Sequence, residues 1–183
     1  LAEPVISVKL TEHPRPLLLF LLDTSDSMNL DDEHTSDEVD QMALMLGGQT
    51  KVAEATRLEL MQMAFAQGEL KNSLSEKYEQ FDMRFYATQQ GHAIREISSE
   101  LEDGVVVLEP LTADLQTTAI GSSLDELHRR HGTRHLAGVV IASDFSQNAG
   151  SPAVSAAEQL GVPLYPTGIG PREVIDVAIQ LQT

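Results

Sequence analysis

Two stretches of the chain are apolar at every position instead of every second one. Leu17 to Leu22 reads Leu-Leu-Leu-Phe-Leu-Leu, and Leu136 to Ala142 reads Leu-Ala-Gly-Val-Val-Ile-Ala. A strand buried on both faces has this signature, whereas a strand with one wet face alternates, and runs this short cannot span a bilayer. Both runs stop at acidic residues. Asp23 follows the first directly, and Ser143-Asp144 follows the second.

The rest of the pattern fills in around these two strands. Val5 to Leu10 alternates and is followed by Pro14 and Pro16, so residues 1–16 are expected to be a lead-in or a short edge strand. After Met28 comes an acidic segment in which Thr35 and Glu38 have capping-box spacing. Val39, Met42, Ala43 and Leu46 then share a helical face, and Gly47-Gly48 stops it. Thr50 to about Leu74 is expected to be helical, with Leu58, Met61 and Phe65 along one side. Phe81 to Ala87 alternates as a strand, while Ile94 to Ile97 and Val105 to Leu108 suit further short strands or irregular connections. A polar turn at Thr117 to Gly121 leads into a helix with Ile120, Leu124, Leu127 and His131 on one face, ended by Gly132. Ser151-Pro152 reads as N-cap and first position of a helix to Leu160, followed by strands at Val162 to Gly168 and Val174 to Ile179. Strand and helix alternate, which calls for an α/β domain with a mostly parallel central sheet and helices on both faces, over residues 17–183.

The chemistry sits at the strand ends. Asp23, Ser25 and Ser27 place a carboxylate and two hydroxyls on alternate positions of a tight loop after a central strand, where open α/β sheets bind their ligands. Three hard oxygen donors suit a divalent cation, Mg²⁺ or Mn²⁺ first. The plainer reading is a strand end and a helix cap, since Asp and Ser are common at both. Thr118 opening a helix and Asp144 ending the second apolar strand extend the set beyond one loop.

Composition narrows the field. At 183 residues the chain suits one domain, and a formal charge of -16 disfavours nucleic acid or an anionic membrane surface while attracting divalent cations. With no cysteine there is no disulfide, thiolate site or thiol nucleophile. No membrane-spanning run occurs, so no direct membrane insertion by this segment is expected. His128, His131 and His135 raise zinc as an option, but Gly132 breaks their helix, and exposed or capping histidines are the simpler account. The acidic residues between Asp31 and Asp40 suit a solvated face better than a second cation site.

On these residues the chain resembles the von Willebrand factor A domain family. Asp23-Thr24-Ser25-Asp26-Ser27 matches the D-x-S-x-S of that family's metal-ion-dependent adhesion site. Thr118 to Leu124 is similar to its T-x-x-G-x-x-L stretch, which favours Thr118 over Thr117. Val139 to Asp144 matches its third metal strand, with Phe145 where a Gly usually follows, and Gly161 to Gly170 resembles the next strand. The resemblance covers about Leu17 to Gln180, and its pattern is similar to A domains of large bacterial membrane-anchored proteins rather than to those of integrins. It implies a doubly wound, Rossmann-like sheet and, by extension, an extracytoplasmic location. Its metal set would be Asp23, Ser25, Ser27, Thr118 and Asp144, with the hydroxyls as direct ligands and the carboxylates often acting through water. An ion so held stays under-neutralised, so an acidic side chain of a protein partner can complete its shell.

That implies a binding module and no catalysis. The competing reading is a Mg²⁺-dependent phosphatase, which also begins with an Asp at a strand end. The D-x-D, P-loop, G-x-S-x-G and H-E-x-x-H patterns are missing, and no Lys or Arg lies within the three loops. A third reading is an A-domain scaffold with a vestigial metal loop.

Overall fold

The apolar run Leu17–Leu22 forms strand β1, the middle strand of the main sheet. The computed structural model describes residues 14–48, 51–91, 93–102, 105–132 and 135–170. In chain order the further strands are β2 (Asp82–Gln89), β3 (Ala93–Ile97), β4 (Ser99–Glu102), β5 (Val105–Leu108), β6 (Leu136–Ser143) and β7 (Leu164–Gly168). The helices are α1 (Ser36–Met45), α2 (Arg57–Ala66), α3 (Gly68–Lys77), α4 (Ile120–His131) and α5 (Ala153–Leu160). Five strands lie in the order β3-β2-β1-β6-β7, all parallel except the antiparallel edge strand β3. β4 and β5 pair antiparallel as a separate two-stranded sheet. The domain is thus α/β with a mixed, mostly parallel sheet flanked by helices, a Rossmann-like arrangement.

Because side chains alternate across a strand, β1 feeds two cores. Leu19 and Leu21 pack with Leu124 and Leu127 of α4 and Leu160 of α5. Phe20 and Leu22 pack on the opposite face with Leu58, Met61 and Phe65 of α2 and Leu74 of α3. The continuous apolar run is explained by this double burial. Phe20 stacks on Phe85 at 4.5 Å between ring centroids, and Phe65 meets both rings edge-on at 6.1 and 6.0 Å. Each such pair adds about 0.5–1.5 kcal/mol beyond area burial, and together they fix where α2 lies along the sheet.

The expected helix from Thr50 to Leu74 is in fact a short 3-10 turn at Val52–Glu54 and two helices, α2 and α3. Thr56 and Glu59 form a capping box that starts α2 afresh, hidden in the sequence by the helix-rich composition on either side. Gly68 separates α2 from α3 with φ +74°, and a Cβ there would lie 2.0 Å from the Met45 carbonyl oxygen. The end of α1 therefore rests on this break. The Thr35–Glu38 capping box of α1 forms as expected. At Ser151 the expectation shifts: α5 starts at Ala153, and the Ser151 hydroxyl donates to Asp125 Oδ2 of α4 at 2.7 Å, so it ties two helices together. The expected strands at Val5 to Leu10 and Val174 to Ile179 lie outside the described residues. Among those described, no helix is long and apolar enough to cross a membrane.

Candidate metal centre

From β1 the chain passes to β2 on one side, and β6 arrives on the other. The carboxyl ends of β1 and β6 therefore flank the point where strand order reverses, the crevice in which open α/β sheets bind ligands. The two apolar runs are inner neighbours, with Leu22 opposite Ala142, and the Asp23 amide continues the ladder by donating to the Ala142 carbonyl at 2.9 Å.

The first loop is built around Asp23, which is only 2 % exposed. Its Oδ1 accepts from the Ser25 amide at 2.9 Å, and its Oδ2 accepts from the Ser143 hydroxyl at 2.5 Å. These bonds aim the carboxylate, yet no Lys, Arg or His pairs with it among the described residues. Ser25 and Ser27 bring their hydroxyl oxygens to 3.0 Å from each other. Thr24 anchors the loop from behind: its amide donates to Thr88 Oγ1 at 2.9 Å and its hydroxyl to the Thr88 carbonyl at 2.8 Å, at the end of β2.

The second loop is laced to the first by backbone. The Asp26 amide donates to the Leu115 carbonyl at 2.6 Å, and the Asp114 amide to Thr24 at 3.2 Å. Thr118, itself buried, is bound instead to the third loop. Its amide donates to Asn148 Oδ1 at 2.9 Å and its carbonyl accepts from the Asn148 amide at 3.1 Å. Its hydroxyl has no hydrogen-bond partner among the described residues. Gly121 makes this junction possible, because a Cβ there would lie 2.0 Å from the Ser151 carbonyl oxygen.

The third loop contributes Asp144, whose side chain is 3 % exposed. Its Oδ1 accepts from the Ser146 amide at 3.0 Å. Phe145 takes φ +58°, a left-handed conformation that costs a non-glycine residue about 1–3 kcal/mol, so the ring stands where the backbone favours Gly. It is 39 % exposed.

Two contributors were not foreseen. Ser143 relays between loops, donating to Asp23 while accepting the Phe145 amide at 2.9 Å. Its only signal was its place beside Asp144. The second is Arg57, the first residue of α2, whose Nη1 donates to Asp144 Oδ2 at 2.7 Å while Nε and Nη2 grip Asp32 at 2.7 and 2.6 Å. The three loops carry no Lys or Arg of their own, as read from the sequence, and α2 delivers this cation from outside them. The hydrogen bond to Asp32 and attraction to both carboxylates raise the Arg57 pKa above its usual value, against an opposing effect of burial.

Of the five residues, the Ser25 and Ser27 hydroxyls have a spacing that suits a small hard cation. Ligands at adjacent corners of a Mg²⁺ octahedron lie about 2.9 Å apart, given metal–oxygen distances of about 2.0–2.1 Å. The Ser25–Ser27 separation of 3.0 Å matches that edge. No three His, Cys, Asp or Glu side chains group to hold a metal among the described residues, so an ion in this crevice would depend on the hydroxyls. His131, one of the three histidines weighed for zinc, bonds through Nε2 to the Tyr86 hydroxyl at 2.8 Å. No protein-family model, curated protein or solved structure matches the chain.

Proposed function

We propose that this is a doubly wound von Willebrand factor A-type module that holds one Mg²⁺ or Mn²⁺ ion and uses it to capture an acidic side chain of a protein partner. The observation that carries the reading is Asp23, a carboxylate 2 % exposed with no cationic partner among the described residues. Buried charges are normally paired or bound to metal, because the cost of removing an isolated ion from water is large. Ser25 and Ser27 sit beside it at ligand spacing. Thr118 and Asp144 complete the proposed shell from the neighbouring loops. With neutral hydroxyls bound directly and the two carboxylates acting through water, the ion keeps room for a further hard ligand, and a partner carboxylate is the oxygen donor that would take it. Reversible capture, not catalysis, suits the set. Among the described residues the Ser25 hydroxyl bonds to the Ser27 hydroxyl and to no base that would activate it.

Calorimetric titration of chelator-stripped protein with Mg²⁺ or Mn²⁺ is expected to show one saturable site, lost in Asp23→Ala. A pull-down from the source cell is expected to retain a partner in Mg²⁺ and release it in excess chelator or with Ser25→Ala. Equal metal binding by wild type and Asp23→Ala would overturn the site, and metal-dependent hydrolysis in a phosphatase screen would overturn the binding-module reading.

A further inference from the structure

Arg57 stands at the first position of α2, the end of a helix where a positive charge is disfavoured by the macrodipole. It is nevertheless held there, 12 % exposed, by the capping box at Thr56 and the docking of Phe65 one face further on. Its contacts are uneven. Asp32 takes a two-pronged grip at 2.7 and 2.6 Å, whereas Asp144 receives one bond from Nη1 at 2.7 Å, and the same Nη1 lies 3.4 Å from the Ser27 carbonyl. The guanidinium thus touches the backbone of one proposed ligand and the carboxylate of another. It can give up Asp144 and still remain bidentate on Asp32.

We propose that Arg57 is an internal competitor for the divalent ion, pairing with Asp144 when the crevice is metal-free and ceding it when the ion binds, with Asp32 as the holder that makes the exchange possible. This rests on the metal reading above and deepens it. Two effects act together. A fixed positive charge beside the crevice opposes a divalent cation, and the Asp144 carboxylate must leave or share a buried ion pair to serve the ion's shell. The site consequently binds metal less tightly than its carboxylates would allow. Less of the ion's charge is neutralised from within, which leaves more for an incoming carboxylate.

The two partners of Arg57 give opposite expectations. Arg57→Gln removes the competitor and frees both carboxylates, so Mg²⁺ affinity by calorimetry is expected to rise, with a coupling of roughly 5- to 150-fold. The Mg²⁺-induced rise in melting temperature should grow with it. Asp32→Asn leaves Arg57 with Asp144 as its one full counter-charge, so Mg²⁺ binding should weaken. Asp37→Asn, an exposed carboxylate of the same acidic segment, controls for net charge and should change little. If Arg57→Gln does not fold, Arg57→Met, which keeps the packing of the stem without the charge, takes its place with the same expected rise in Mg²⁺ affinity. A merely structural Arg57 would weaken binding in both Arg57→Gln and Asp32→Asn, and that result, or equal losses in Asp32→Asn and Asp37→Asn, overturns the proposal. Saturable binding in wild type with no gain in Arg57→Gln sinks this inference alone. No Mg²⁺ or Mn²⁺ binding by any variant or by wild type sinks the metal reading as well.

Discussion

At the scale of single residues, the crevice depends on side chains that would not themselves be ligands. Ser143 is fully buried and donates to Asp23 Oδ2, and without it one oxygen of a buried carboxylate loses its only described donor. Hydrogen bonds to charged groups contribute about 1.5–3 kcal/mol. Ser143→Ala is therefore expected to destabilise the metal-free protein by about that amount in chemical denaturation, and to weaken Mg²⁺ binding because Asp23 is no longer aimed. Unchanged stability would show that water replaces the hydroxyl at no cost. Phe145 makes a related point in the backbone. A bulky residue with φ +58° persists only where its surroundings over-determine it, and the Ser143 hydroxyl accepting the Phe145 amide is one such constraint.

At the scale of elements, two close approaches decide how helices meet the loops. Gly68 lets α1 end against the α2–α3 break, and Gly121 lets the third loop close on the start of α4. In Gly121→Ala the new Cβ would meet backbone atoms of Ser151, 2.0 and 2.7 Å away, which cannot rotate aside. The loop must shift, and the Gly121 amide bond to Gln147 Oε1 and the Thr118–Asn148 pair shift with it. A loss of at least 1–3 kcal/mol, the usual range for overpacking, is expected from thermal or urea unfolding, together with weaker Mg²⁺ binding. Ordinary helix propensity would favour Ala over Gly by about 1 kcal/mol, so a stabilised variant would refute the close approach.

At the scale of the molecule, the core on the α4 face carries a pH dependence of its own. On the α4 face, His131 packs against the sheet and pairs with the Tyr86 hydroxyl, and burial first, with the Arg84 charge second, pushes its pKa below the ordinary value while Glu96 opposes. Arg130 also lowers it and Asp82 raises it. The unfolded chain takes up this proton near about pH 6.5, and the folded chain only at lower pH. The contribution of neutral His131 is thus complete above about pH 6.5, lost as pH falls from there towards the folded pKa, and constant below it. Between pH 7.5 and 5.5 wild type should lose more stability than His131→Gln, which can still pair with Tyr86. Parallel slopes for the two would contradict the depressed pKa.

The strands with one clear function in the fold were legible in the chain itself. Burial on two faces forces an unbroken apolar run, so Leu17 to Leu22 and Leu136 to Ala142 announced inner strands, and their pairing in the sheet follows that reading. Asp23, Ser25 and Ser27 were legible for the same reason, since one loop carries them all. The capping box of α1 and the stop at Gly132 are likewise local signals that the backbone obeys. What the tertiary structure alone decided is whatever depends on partners distant in sequence. Arg57 lies 87 residues from Asp144 and 25 from Asp32, so no spacing links them. The helix break at Gly68 is set by the carbonyl of Met45 on another helix, and the Thr118 backbone is held by Asn148, 30 residues on. Local patterns specify which residues must be buried and where the backbone can turn; charge pairing and close packing are properties of surfaces that exist only after the chain has folded.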